Sequence, residues 1–288
     1  MKPEKQAQTL KKIVGREERI NYPKVLTITS GKGGVGKTNI VANLACALQK
    51  RERKVLVFDA DMGLGNIHIL LGLAPKINLQ HVLSGEKTIE EIVVEGPSGL
   101  NILPATTGEQ ELTKLGKEDR LLLLEELDRV CGSYDFLIFD TGAGISSNVT
   151  YFCSAAHEII LIVTTEITSL TDAYGLMKVL NQKHGQNDFR LILNTVRSEK
   201  EALEIFRHLT EVVDKFLPGV MVDYMGYILI DENVRKAVRQ QASFLELYPH
   251  SKISHCINDL ADKIVIENRL NTGDSKHPFF WSNLLSVQ

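Results

Sequence analysis

The chain has 288 residues, of which 43% are hydrophobic and 24% charged. This balance is typical of a folded globular protein and excludes an intrinsically disordered one. No apolar run approaches the ~18 residues needed to span a bilayer, and the lysine-rich first twelve residues lack the apolar segment of a secretory signal. The formal net charge of −3 excludes a uniformly basic coat for nucleic acid. We therefore expect a cytoplasmic protein.

The cysteines stand far apart in the sequence, with no CxxC pair and no histidine at metal-ligand spacing. A bridging iron–sulfur cluster needs paired cysteines, so we do not expect one. The sequence predicts free thiols in a reducing compartment at Cys46, Cys131, Cys153 and Cys256.

Short apolar or β-branched runs alternate with amphipathic stretches along the chain, which is typical of βαβ units. The predicted strands are 25–29, 55–58, 100–103, 136–139, 159–163, 191–193 and 224–228. The predicted helices are 37–49, 117–130, 169–182, 198–216 and 251–270. Because strands such as 159–163 are apolar at every position, we expect helices on both faces of the sheet. The pattern predicts an α/β fold with a doubly wound, mainly parallel sheet.

The predicted α/β core spans residues 23–270. An N-terminal arm, residues 1–22, precedes the first strand, and a linker with an apolar tail, residues 271–288, follows the last helix.

A glycine-rich phosphate-binding pattern, G-x-x-x-x-G-K-[ST], lies between the first strand and the first helix. Its backbone amides and the helix N-terminus are suited to hold phosphates. Lys37 is predicted to reach the β- and γ-phosphates, and Thr38 to offer its hydroxyl to Mg²⁺. A glycine-rich turn without a ligand is the alternative, but loop, lysine and threonine coincide here. The predicted cofactor-binding loop is Gly31, Lys32, Gly33, Gly34, Val35, Gly36, Lys37 and Thr38.

Carboxylates end two further apolar strands, Asp59 and Asp61 after the second and Asp140 after 136–139. The carboxyl ends of parallel strands meet at the ligand crevice of an α/β fold, where carboxylates can contact Mg²⁺ or a water molecule. Asp140 is predicted to hold Mg²⁺, and the turn that contains Gly144 to bring backbone amides to the γ-phosphate. The alternative is that these carboxylates are simply solvated at the strand ends and bind no ligand.

Lys32 lies five positions before Lys37 and gives the loop the form K-G-G-x-G-K-[ST], so the sequence resembles the MinD/ParA family of P-loop ATPases. The resemblance implies that Lys32 crosses a nucleotide-sandwich dimer to the partner's phosphates. It also implies that Asp61 orients the attacking water and that Asp59 lies near the metal. We accordingly assign catalysis to Asp61, Lys32 and Lys37, and the metal site to Thr38, Asp59 and Asp140.

The same resemblance implies that Asn194, at the end of strand 191–193, hydrogen-bonds the adenine edge. The base-covering segment at 227–231 lacks the proline that the family usually carries there. Gly142 likewise replaces a proline that many relatives have after the Asp140 position.

Three segments resemble the FlhG (FleN) branch, which regulates flagellar number and placement: residues 140–145, residues 227–241 with a late helical segment, and the arm. In the arm, Gln6, Ala7, Leu10 and Lys11 resemble the motif through which that branch stimulates the FlhF GTPase, with Lys5 and Lys11 replacing Asp and Arg. The resemblance implies FlhF-like GTPase binding, and flagellar switch proteins or a transcription activator as further partners. An arm that packs on its own domain is the alternative.

The tail concentrates large apolar residues that share one side of a helix and resembles a membrane-targeting helix. Its basic flank is only Lys276 and His277, and docking on the chain's own core is the alternative. The predicted membrane contacts are Phe279, Phe280, Trp281, Leu284 and Leu285.

These features together predict a magnesium-dependent, slow ATPase that dimerises with ATP, associates peripherally with the inner membrane face and regulates flagellar number or placement. The alternatives are a MinD-like division-site ATPase and a ParA-like DNA-partition ATPase. We do not expect DNA to be the partner, because basic groups such as 50–54 and 235–239 lie near predicted helix ends, where solvated caps are common.

Overall fold

The computed structural model describes residues 22–61, 65–104, 122–123, 126–127 and 129–271, with the side chains of the last helix described as far as residue 268. This part of the chain forms one eight-stranded sheet. Its strands are β1 (Lys24–Ser30), β2 (Val55–Ala60), β3 (Val94–Glu95), β4 (Asn101–Leu103), β5 (Phe136–Ala143), β6 (Glu158–Thr164), β7 (Asp188–Val196) and β8 (Met221–Leu229).

Helices connect most of these strands. They are α1 (Lys37–Gln49), α2 (Ile67–Leu70), α3 (Leu79–Leu83), α4 (Ile89–Ile92), α5 (Ser147–Ala155), α6 (Ile167–His184), α7 (Glu199–Phe216), α8 (Glu232–Arg239), α9 (Phe244–Leu247) and α10 (Lys252–Asn271). Residues 122–123, 126–127 and 129–131 are helical as well.

The strand order is β3-β4-β2-β5-β1-β6-β7-β8, and every neighbouring pair is parallel except β3 with β4. The chain passes from β1 to β2 on one side of β1, and later from β5 to β6 on the other side. Connections that diverge in this way open a crevice at the carboxyl ends of the strands, where α/β folds bind ligands. The predicted fold class is confirmed.

Alternate residues of the central strands face opposite layers. Val55 and Val57 pack in the layer of α1 and α10, whereas Leu56 and Phe58 face the opposite layer. There Phe58, Phe139 of β5 and Phe152 of α5 have ring centroids 4.7 to 5.6 Å apart. Burial contributes about 1.5–3 kcal/mol for each such side chain, so two covered faces explain why the strands are apolar at every position.

Helix α10 buries the apolar face that the sequence predicts for it. Its packing against α1 and β8 holds this layer to the sheet. The buried residues of this face are Ile253, Ile257, Leu260, Ile264 and Val265.

Several elements were not predicted from the sequence. Helix α5 contains β-branched and aromatic residues with low helix propensity, but Ser146 caps its N-terminus by accepting a hydrogen bond from the Val149 amide. Tyr151, Phe152 and Cys153 are buried in the sheet layer, so tertiary packing stabilises this helix. The expected helical segment at 227–241 is partly wrong, because β8 continues to Leu229 and α8 begins only at Glu232.

All four cysteines are buried, and none of them forms a disulfide. Among the helices that the structure describes, none is both long and apolar enough to cross a membrane.

Candidate nucleotide site

The phosphate-binding loop occupies the turn between β1 and α1, in a conformation that requires small residues. Gly34 and Gly36 have φ angles of +79° and +85°, which favour glycine because a Cβ is strained there. A Cβ on Gly36 would also lie 2.7 Å from the Asn194 side-chain nitrogen, and one on Gly31 would lie 2.2 Å from the backbone of Asp172. The loop is therefore packed tightly against β7 and α6.

Lys37, the first residue of α1, points into the interior of the site. Its ammonium nitrogen lies 2.6 Å from Oδ1 of Asp140, and both side chains are buried, with 8% and 1% exposed. The Thr38 side chain is close enough to the same carboxylate to oppose, with Lys37, the rise in its pKa caused by burial. The structure thus brings Lys37, Thr38 and Asp140 together, as the sequence predicts for a phosphate and metal site.

Asp59 and Asp140 stand directly opposite each other on neighbouring strands β2 and β5. Burial, followed by the charge of Asp140, raises the pKa of Asp59 from 3.8 to about 7. Burial also raises the pKa of Asp140, although Lys37 opposes that shift. Lys37 pairs with Asp140, and the second buried carboxylate, Asp59, adds negative charge that favours a further cation.

This donor set fits Mg²⁺. The ion prefers oxygen ligands and is commonly held by one or two carboxylates together with phosphate oxygens. The Asp59 and Asp140 carboxylates and the Thr38 hydroxyl supply such oxygens at the end of the phosphate loop. The assignment of Thr38, Asp59 and Asp140 to the metal stays a prediction that this geometry supports.

The Asp59 carboxyl gives a pH prediction for the protein without nucleotide or magnesium. Since its pKa is about 7 in the fold and near 3.8 when exposed, the folded state binds more protons between these values. The contribution of the Asp59 carboxyl to the free energy of unfolding is therefore largest below pH 4, and it is lost as the pH rises to 7. We expect Asp59→Asn to raise the free energy of unfolding at pH 8 by on the order of a few kcal/mol, and hardly at pH 4.

Urea denaturation at both pH values measures this difference. Asp214→Asn, which changes an exposed carboxylate on α7, is the matched control and should have no pH-dependent effect. Equal stabilisation by Asp59→Asn at pH 4 and pH 8 would show that burial does not raise the pKa of the Asp59 carboxyl.

Asp61 follows β2 and lines a cleft of about 490 Å³ together with the phosphate loop. A Cβ on Gly142 would lie 3.1 Å from Oδ1 of Asp61, closer than nearly all ordinary Cβ contacts. The glycine that replaces the usual proline therefore makes room for the Asp61 side chain. Gly144, two residues on, donates its amide to the Ser30 carbonyl at 2.9 Å, which ties this turn to the phosphate loop.

Asn194 lies next to the phosphate loop, at the carboxyl end of β7. Its side-chain nitrogen donates to the Val35 carbonyl at 2.6 Å, and its side-chain oxygen accepts from the Thr195 amide at 2.9 Å. Thr195 has a left-handed φ of 60°. Asn194 therefore braces the loop, a role that the sequence did not reveal, whereas its contact with adenine stays a prediction.

The Lys32 side chain contacts residues at the N-terminus of α6. Its ammonium contacts the Glu166 carboxylate and lies 2.7 Å from the Thr168 hydroxyl. Neither partner was predicted, because both lie more than 130 residues further along the chain and nothing in the local sequence marks them.

Further cleft residues come from elements that the sequence did not place there. Ile69 of α2 lies on one wall, and Val238 and Gln241 lie at and beyond the end of α8. The Gln241 side-chain nitrogen donates to the Ile69 carbonyl at 3.2 Å. The arm residues Gln6, Ala7, Leu10 and Lys11 and the tail residues 279–285 lie outside the described part of the chain.

Comparison with known proteins places this site in a family. Residues 23–192 match the AAA domain model AAA_31. The chain is 42% identical over 240 residues to the antiactivator FleN of Pseudomonas aeruginosa, covering 83% of this chain and 85% of FleN. It is 34% identical over 255 residues to the flagellum site-determining protein YlxH of Helicobacter pylori, covering 88% and 85% of the two chains.

Among solved structures, the septum site-determining protein MinD of Pyrococcus horikoshii, complexed with Mg-ADP, superposes with a TM-score of 0.65 at 26% identity. The match covers 84% of this chain and 96% of that MinD. With the phosphate loop, Lys32 and the three carboxylates in place, the chain belongs to the MinD/ParA family of P-loop ATPases, in the branch of FleN (FlhG).

Proposed function

We propose that the protein is an ATP-dependent dimerisation switch that hydrolyses ATP slowly and regulates flagellar number or placement. The observation that carries the proposal is that Asp61 and Lys37, which is ion-paired with the buried Asp140, both line the cleft at the phosphate loop. The printed names of two relatives, an antiactivator and a flagellum site-determining protein, support the flagellar role.

ATP binding begins with an exchange of partners at Lys37. Its ammonium holds the Asp140 carboxylate in this structure, and the β- and γ-phosphates would take its place. The exchange costs little because one anionic partner replaces another. The Thr38 hydroxyl and the Asp59 and Asp140 carboxylates would hold Mg²⁺, which neutralises charge on the phosphates.

Hydrolysis then depends on Asp61. Asp61 lines the cleft and its carboxylate lies beside Gly142 in the turn after Asp140, a position from which it would orient a water molecule for attack on the γ-phosphate. The adjoining turn, tied to the loop through the Gly144 amide, can rearrange when the γ-phosphate leaves. Loss of that phosphate would reset the switch.

The crevice end of the molecule carries a surface suited to a second copy. Ile145, after β5, and Ile167, at the start of α6, are 59% and 81% exposed. Their strands flank β1 and thus the phosphate loop on either side. Ile167 adjoins Glu166, whose carboxylate contacts Lys32, and these exposed apolar side chains support an ATP-bound sandwich in which each Lys32 reaches the partner's phosphates.

Flagellar counts test the biological role. The gene is deleted from its host and replaced by the wild-type gene or by Lys37→Ala, and flagella are counted by electron microscopy. We expect flagella of altered number or position in the deletion strain. The wild-type gene should restore the normal pattern, and the Lys37→Ala gene should not. Normal flagella with misplaced division septa in the deletion strain would favour the MinD-like alternative.

A ParA-like role in DNA partition is the other alternative. Two residues of the basic segment 50–54 make hydrogen bonds within the chain. Arg51 donates to Asp262 and Asn258, and Lys50 donates to the Leu245 carbonyl. The basic residues of α8 at 235, 236 and 239 are exposed, and they are the candidates for DNA phosphates. Salt-sensitive, sequence-independent DNA binding only with ATP would favour this alternative.

The tail is proposed as the membrane contact. Deletion of residues 279–288 should abolish ATP-dependent co-sedimentation with anionic liposomes and spare ATP binding, because the removed apolar residues follow the last core helix. Two tails on one dimer raise the effective concentration of the second, so dimerisation alone can control attachment.

Trp281 supplies the readout. Its fluorescence should shift to the blue with anionic vesicles plus ATP, and much less with ADP. An indole that is already buried without vesicles and is unchanged by them would assign the tail to the core instead. Binding of an FlhF-like GTPase through Gln6, Ala7, Leu10 and Lys11 is likewise a proposal.

A further inference from the structure

The backbone of Lys32 is fixed in place before any ligand binds. The Ser30 hydroxyl donates to the Lys32 carbonyl at 2.9 Å. Gly31 lies against the backbone of Asp172 in α6 so closely that a Cβ would approach it to 2.2 Å. The start of the loop and the start of α6 therefore form one packed unit, and Lys32 can change its partner only by rotating its side chain.

Two side chains of this unit hold the Lys32 ammonium. The Glu166 carboxylate forms an ion pair with it, and the Thr168 hydroxyl accepts a hydrogen bond at 2.7 Å. Glu166 is the N-cap residue of α6, yet its side chain caps none of the free amides of the helix. Its hydrogen bond to Lys32 lowers the pKa of its carboxyl. We call the interaction of Lys32 with Glu166 and Thr168 the Lys32 contact.

The Lys32 contact competes with phosphate. A carboxylate and a phosphate offer an ammonium ion the same kind of charged acceptor, and one ammonium cannot point in both directions. Since the Lys32 and Glu166 side chains are 34% and 64% exposed, a rotation frees the lysine without disturbing the core.

From this geometry we infer that Glu166 and Thr168 are positioning residues that keep Lys32 away from a partner's phosphates and so set the protein concentration at which the ATP-bound chain dimerises. The inference rests on the proposed function, in which Lys32 crosses to the second copy. Each dimer requires two Lys32 contacts to open, because the two chains are identical.

This symmetry fixes the expected size of the effect. Loss of one exposed ion pair changes an equilibrium constant by up to about fivefold. Each dimer requires two such pairs to open, so the two factors multiply in the dissociation constant. Glu166→Gln should therefore lower the dimer dissociation constant by about 2- to 30-fold. Thr168→Val, which removes one neutral hydrogen bond, should act in the same direction with a smaller effect.

Sedimentation equilibrium of the full chain with a non-hydrolysable ATP analogue and Mg²⁺ measures this constant. Glu204→Gln removes an exposed carboxylate near Lys200 on α7 and is the matched control, expected to leave the constant unchanged. The ratio between wild type and Glu166→Gln should also fall towards one at high salt, because screening weakens the ion pair in the monomer. Thermal melts check that each variant folds.

The outcomes separate this inference from the proposed function. A wild type that stays monomeric with the analogue contradicts the dimerisation switch itself. A wild type that dimerises while Glu166→Gln has the same dissociation constant overturns only the role of Glu166. Weaker dimerisation of Glu166→Gln also overturns it, since the carboxylate would then orient Lys32 for its partner.

Discussion

Replacement of Lys37 by alanine is expected to abolish ATP binding in the presence of Mg²⁺. The ammonium is paired with the buried Asp140 carboxylate, and no other lysine or arginine lines the described part of the cleft. Without it the β- and γ-phosphates would lose this ammonium, and Mg²⁺ alone would offset their charge. We expect an affinity loss of about 100-fold or more, since each charge-assisted hydrogen bond that the ammonium would give to the phosphates contributes about 1.5–3 kcal/mol. Isothermal titration calorimetry measures the affinity.

Two further variants support the interpretation of this result. Lys200→Ala removes an exposed lysine on α7 and should bind ATP as the wild type does. Thr38→Ala keeps the Lys37–Asp140 pair and should lose the magnesium-dependent part of the affinity. Calorimetry that finds wild-type affinity for a folded Lys37→Ala protein would count decisively against the phosphate-loop assignment.

Asp61→Ala is expected to separate binding from hydrolysis. Orientation of water is required only in the transition state, so its loss leaves ATP affinity intact while the rate falls by about 100-fold or more. The protein should then accumulate as an ATP-bound dimer in light scattering. Phosphate release measures the rate, with Asp214→Ala on α7 as the control.

An Asp61→Ala protein that hydrolyses ATP at the wild-type rate would remove Asp61 from the mechanism. A protein that loses ATP binding instead would place Asp61 among the ligands of the ground state. Both results leave the phosphate loop assignment untouched, because that assignment depends on Lys37.

The sequence predicted the fold well where hydrophobic pattern and motif agree. The bounds of α1 match the prediction from Lys37 to Gln49, because the phosphate loop fixes its start and its apolar residues define its length. Strands β1, β2, β4, β5, β6, β7 and β8 were predicted because each is a short apolar or β-branched run. By contrast, α5 was missed because Val149, Tyr151 and Phe152 suit a strand as well as a helix.

The sequence named the candidate site residues one by one, but it did not predict how they are arranged in space. The sequence shows Asp59 and Asp140 each at the end of an apolar run, but only the order β2-β5-β1 places them side by side. The brace from Asn194 to Val35 joins residues 159 positions apart, and the contacts of Lys32 are almost as distant in sequence. Local patterns carry no information on such pairs.

The central claim is that ATP controls assembly of this chain into a dimer. Light scattering coupled to size-exclusion chromatography tests it most directly, with wild-type protein in Mg²⁺ and either ADP or a non-hydrolysable ATP analogue. We expect a monomer with ADP and a dimer with the analogue, and a monomer in both for Lys32→Ala. The same mass with both nucleotides in the wild type, whether monomer or dimer, would contradict the account.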